Sequence, residues 1–217
     1  MSSSNRIGSR KLFLLLTAAA LLAVKVLLEI LGQYRWYFPA NFEQSAFLIG
    51  REAFFHGVYW WAFYVHILIS PITAMLAGWL LFSGAKGRFL TGHRRLGKLQ
   101  VLLVLGLVAP SGLVMSYWAF TGPIAGWGFA LLSLGTGFTA VMTAYHARGG
   151  RIRRHRVWAV RCLLLLASPF ILRIVSGVFI VTGWESEWTY RLTAWLSWLG
   201  PLTIYETIRL YPNVASI

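Results

Sequence analysis

The chain contains no aspartate, and its only acids are six glutamates, set against twenty lysines and arginines. With no aspartate and no HExxH motif, a metal-hydrolase centre has few of its usual ligands and bases to draw on. One cysteine, Cys162, excludes both an intrachain disulfide and a cysteine-ligated metal cluster. Charged residues make up only 12% of the chain, about half of what soluble domains carry. No zinc-finger spacing and no separate basic domain are present, so the net charge of +14 does not point to nucleic acid. The small-residue run GTGF (135–138) lies inside an apolar stretch with no strand before it, which excludes a phosphate loop. With GLVAPSG (106–112) it reads as a place where helices pack closely.

What the sequence has is long apolar runs, 58% of its residues being hydrophobic. Runs of about 18 residues or more read as membrane-crossing helices. Six spans are expected, at 12–31, 57–83, 98–119, 125–146, 157–182 and 192–210, giving an all-α transmembrane bundle in one domain. The first run is long enough to span and lacks a small-x-small cleavage site, so it reads as a retained helix. Pro71, Pro110, Pro169 and Pro201 fall inside spans and are expected to kink them. Residues 32–56 form the one sizeable outer-side loop, where FEQSAFLIGREAFF is expected to make a short interfacial helix.

Charge sets the orientation. Lysine and arginine crowd the N-terminal segment, the loop around 84–97, the loop around 147–156 and the tail. The other side carries only Arg35, Arg51 and Arg191, with four of the glutamates and most of the tryptophans. The positive-inside rule then places both termini in the cytoplasm, in a bacterial inner membrane.

Ionisable side chains within spans are functional candidates because burying them in lipid is costly. Lys25 and Glu29 stand four apart and are expected to pair. Arg161 is shallow enough to reach the cytoplasmic surface. His66 and Arg173 lie at similar depth in the outer half and are expected to face a shared polar space. His93, His146 and His155 sit together at the cytoplasmic ends of their helices, two of them inside the basic knots HRRLGK (93–98) and RIRRHR (151–156). Arginine alone would supply the charge. Histidine adds a lone pair for a metal or a proton. A b-type haem needs two imidazoles on facing helices and basic groups for its propionates. His93 and His155 are the expected ligands, while a quinone would use His66 and Arg173.

HILISPITAMLAGWLLF (66–82), HRRLGK and AYHARGGRIRRHRVWAVR (144–161), with ILRI (171–174), resemble an uncharacterised bacterial membrane-protein family of unknown function, over about residues 60 to 180. The resemblance implies a multi-span protein and singles out His66, His93, His155, Trp158, Arg161 and Arg173. His146 falls outside its motifs, and HRVWA stands where the family reads HRRWM. A fainter likeness is to four-helix b-type cytochromes and ferric-reductase-like membrane domains. It implies paired histidines on facing helices, but His66 has no histidine partner at its own depth, so one inner haem is what it would allow here. Three functions follow as expectations: intramembrane electron transfer with haem b or quinone, an accessory or scaffold subunit of a larger membrane complex, and a small-solute transporter.

Overall fold

A long apolar run in lipid has to satisfy its backbone internally, and a helix does so within one segment. The computed structural model describes residues 14, 17–18, 21–22, 24–45, 47–83 and 90–211, and these are helical throughout their long runs, with no strand among them. Two compact units, residues 1–54 and 55–217, divide the chain.

In the first unit, α1 covers residues 24–33, and much of the expected span 12–31 lies outside the described residues. Lys25 and Glu29 pair at 3.0 Å, as their spacing predicts. The interfacial helix expected within 32–56 is replaced by turns and two single 3-10 turns, Tyr34–Trp36 and Glu52–Phe54. The reason is local. Asn41 accepts from the backbone N–H groups of Glu43 and Gln44, which is turn chemistry, and Gly50 adopts φ 74°, which ends any helix. Arg51 folds back, its guanidinium bonding the Phe47 carbonyl and covering the Phe47 ring at 4.2 Å.

The second unit contains α2 (Gly57–Ser83), α3 (Leu90–Tyr117), α4 (Pro123–Arg148), α5 (Ile152–Leu166), α6 (Ser168–Val181) and α7 (Glu187–Leu210). Three of these, α2, α3 and α4, are long and apolar enough to cross a membrane; α5 and α6 make a fourth candidate if the bent pair counts as one. α7 has the length, at 24 residues, but not the apolarity. The basic segment 93–98 was expected in a loop. It lies instead within α3, which starts at Leu90, and α5 likewise starts at Ile152 inside the second knot. Arginine and lysine are good helix formers, so charge alone does not end a helix.

The prolines divide. α2 and α7 run unbroken through Pro71 and Pro201. Pro110 follows a five-residue π-helical stretch, Val104–Val108, whose wider turn accommodates a ring that would clash with the preceding turn. Pro169 follows a break at Ala167, where the path bends by 44° between α5 and α6.

α2 to α5 form a four-helix bundle. Each helix packs on its chain neighbours and α2 closes on α5, so α3 and α5 stand diagonally. Its apolar centre is Val104 and Val108 from α3, Ala140 from α4, and Cys162 and Leu166 from α5, with Ile69, Ala74 and Ala77 of α2 against them. α4 and α5 are joined by a tight turn in which Gly150 takes φ 67° and the Arg151 N–H donates to the His146 carbonyl at 2.9 Å. α7 packs on α6, α4 and α5.

Candidate functional site

His93 and His155 are each the fourth residue of their helix, α3 and α5. Because those helices are diagonal, the two side chains meet across the bundle: their ring centroids are 6.3 Å apart and their planes cross at 74°. This is the approach expected from sequence, and both rings are partly buried.

The hydrogen bonding fixes one tautomer. His155 Nδ1 lies 3.0 Å from the Thr143 carbonyl oxygen. A carbonyl only accepts, so Nδ1 carries the proton and the neutral ring has its lone pair on Nε2. This is the arrangement found behind metal-ligating histidines, where one nitrogen is anchored and the other is free. In His93 the Nδ1 is buried with no protein partner among the described residues. A buried imidazole nitrogen in that position calls for a water or a ligand.

His146 shares the depth of this pair, and three converging imidazoles were conceivable. Among the described residues, no three histidine, cysteine or acidic side chains converge on a metal position. The buried His146 ring lies parallel to Trp158, with centroids 6.5 Å apart and planes at 20°. Trp158 also meets Phe138 edge-on at 5.5 Å and carries the Arg161 guanidinium over its face at 4.2 Å.

Arg161 does not reach for the surface. Its Nε donates to Glu206 of α7 at 2.7 Å, and Glu206 also accepts from Arg209 at 2.6 Å. A carboxylate on the neighbouring helix offers an ion pair that no surface water can match in a low-dielectric setting. Sequence reading missed Glu206. The available signal was that it is the only acid in the last apolar run.

No hydrogen bond or ion pair joins His66 and Arg173 directly among the described residues. His66 is on α2, whereas Arg173 is on α6, which packs chiefly on α7. His66 Nδ1 lies 3.0 Å from Ser111 Oγ. The Ser111 hydroxyl donates to the Leu107 carbonyl at 2.6 Å, so its oxygen accepts from His66 and Nδ1 carries that proton. The His66 ring lies against Gly112, where an added Cβ would stand 3.2 Å from Cε1 and 2.4 Å from Ser133 Oγ.

Around the histidine pair, Arg94, Arg95, Lys98, Arg148, Arg151, Arg153, Arg154 and Arg156 are exposed. The ion pairs of the described residues lie elsewhere, on Glu29, Glu187 and Glu206. The end of the bundle holding His93 and His155 is therefore strongly cationic.

No curated protein and no solved structure matches the chain. A family model described as "Predicted membrane protein (DUF2306)" matches residues 63–208. That stretch runs from within α2 into the last turn of α7 and includes His66, His93, His155, Arg161 and Glu206, and the chain belongs to this family of membrane proteins of unknown function.

Proposed function

We propose that the protein transfers electrons within the membrane, with a b-type haem held between His93 and His155. The observation that carries this reading is the approach of the two imidazoles from diagonal helices, with centroids 6.3 Å apart. His93 and His155 would hold the haem as its two protein ligands, one from each of the facing helices. The residues fit the group in three respects. His155 is anchored at Nδ1 and presents Nε2. His93 has a buried nitrogen without a protein partner. Exposed arginines stand beside both histidines in sequence and suit the propionates. When bound, the haem supplies one-electron chemistry. The chain supplies ligands, orientation through the Thr143 carbonyl, and an apolar centre that keeps bulk water away.

The arrangement in the membrane follows from charge. We infer a multi-pass protein of a bacterial inner membrane, with six spans formed by α1 to α4, the bent pair α5 and α6, and α7. Both termini and the ends bearing His93 and His155 then face the cytoplasm. Quinone remains the alternative redox partner. A scaffold subunit or a solute transporter would leave the histidine pair without a task.

A visible spectrum of the purified protein tests the proposal. Reduction is expected to sharpen the Soret and alpha bands of a six-coordinate b-type haem. A protein that stays colourless after expression with ample haem supply contradicts it.

A further inference from the structure

We propose that a hydrated polar path runs through the bundle from the histidine pair to His66 and gives His66 access to protons from the basic end.

Seven buried side-chain atoms in the described residues lack a hydrogen-bond partner, and three of them fall in series along two neighbouring helices: Ser70 Oγ, Gln100 Oε1 and His93 Nδ1. Ser70 is one turn from His66 on the same face of α2, because residues four apart are neighbours on a helix. Ser70 and Gln100 are joined through Thr73. The Thr73 hydroxyl donates to the Ser70 carbonyl at 2.9 Å, and Gln100 Nε2 donates to the Thr73 carbonyl at 3.0 Å. Gln100 and His93 are seven residues, two turns, apart on one face of α3. The order is therefore His66, Ser70, Gln100, His93, then His155 at 6.3 Å between rings.

Packing alone does not account for this series. Serine and threonine in apolar helices commonly bond back to their own helix and need nothing more. Thr136, Thr139 and Thr143 do so, to Leu132, Thr136 and Thr139. Ser70 and Gln100 do not complete their bonding that way. Gln100 is buried and leaves its carbonyl oxygen open. Buried polar atoms of this kind are satisfied by internal water, each water typically making about three hydrogen bonds. Waters placed at these atoms span the gaps of one or two helical turns between residues that accept and donate protons.

His66 is the natural end of such a path. Ser111 fixes its proton on Nδ1, so Nε2 receives the incoming proton and the ring passes through its cationic form. Transfer and return leave atoms and charge unchanged, and no redox partner is required. The inference does not require bound haem, but it shares His93 Nδ1 with that reading, the atom being bonded to water here.

Solid-state NMR of histidine-labelled protein in bilayers tests it, by water-edited magnetisation transfer to the imidazole N–H groups. His66 and His93 are both expected to exchange with water. Gln100→Leu and Ser70→Val are expected to slow exchange at His66 several-fold, while the exposed His56 is unchanged. Ser70→Val changes no hydrogen bond to another helix and carries the test if Gln100→Leu fails to fold. A dry His66 in the native chain overturns the proposal, and so does exchange at His66 that ignores both substitutions.

Discussion

A histidine inside a basic knot has to be distinguished from an anchor. His93→Arg and His155→Arg add positive charge to an end that is already basic and keep the helix, so insertion and topology should persist. Haem binding should not, since a guanidinium has no lone pair to give. Equal haem content in the arginine variants would return both residues to the anchoring role. Glycines give a second residue-scale contrast. An added Cβ at Gly126 would lie 2.8 Å from the Ser116 carbonyl oxygen, which is backbone and cannot step aside. At Gly137 the nearest atoms are ordinary contacts at 3.5 and 3.6 Å. Gly126→Ala should therefore cost about 1–3 kcal/mol, the usual range for overpacking, and Gly137→Ala much less. Unfolding in mild detergent measures the order, and a reversed order would contradict the α3–α4 contact. At this scale the sequence told the residue types well and the partners poorly. His93 and His155 were legible because chemistry and depth coincide. Ser111, Glu206 and Gln100 were not, since each acquires its meaning from a residue on another helix.

At the scale of elements, the link between α5 and α7 rests on Arg161 and Glu206, which are 19% and 26% exposed. Charged hydrogen bonds of this kind contribute roughly 1.5–3 kcal/mol, with the lower end fitting a partly exposed pair. A double-mutant cycle of Arg161→Gln and Glu206→Gln should give coupling of about 1 kcal/mol. Additive effects would show that the contact holds nothing. Removing Arg161 should also loosen Trp158, whose ring also lies along His146. Apolar run length marked α2 and α4 almost to the residue, and the helices persist through Pro71 and the glycines of α4. It misplaced the start of α3 by treating arginines as loop residues, and it foresaw a kink at each of the four prolines inside the expected spans. α3 and the α5–α6 break show two different accommodations, a widened turn before Pro110 and an interruption before Pro169. Tertiary packing decides between them, and local sequence does not contain it.

For the whole molecule, the proposed topology has α2, α3, α4 and the bent α5–α6 pair cross in turn, so that the helix ends bearing His93 and His155 share one side. In that proposal the positive-inside rule makes the basic side the cytoplasm. A reporter that is active only when exported, fused after residue 150, is expected to stay silent, and activity there would reverse the orientation. The bundle places its helices so that chain neighbours pack and α3 faces α5 across the axis. That diagonal is what brings together two histidines sixty-two positions apart. The approach was expected from shared depth and from the facing helices that a haem requires, whereas the diagonal order of the bundle was not, since depth follows from rise per residue while order requires packing. The central claim is that this diagonal pair holds a haem. Haem per chain, measured on purified native protein and on His93→Ala, His155→Ala and His146→Ala, tests it most directly. The account predicts one haem per native chain, loss in the first two variants, and retention in His146→Ala, whose ring packs on Trp158. Haem retained without His93 and His155, or absent from the native chain, would contradict it.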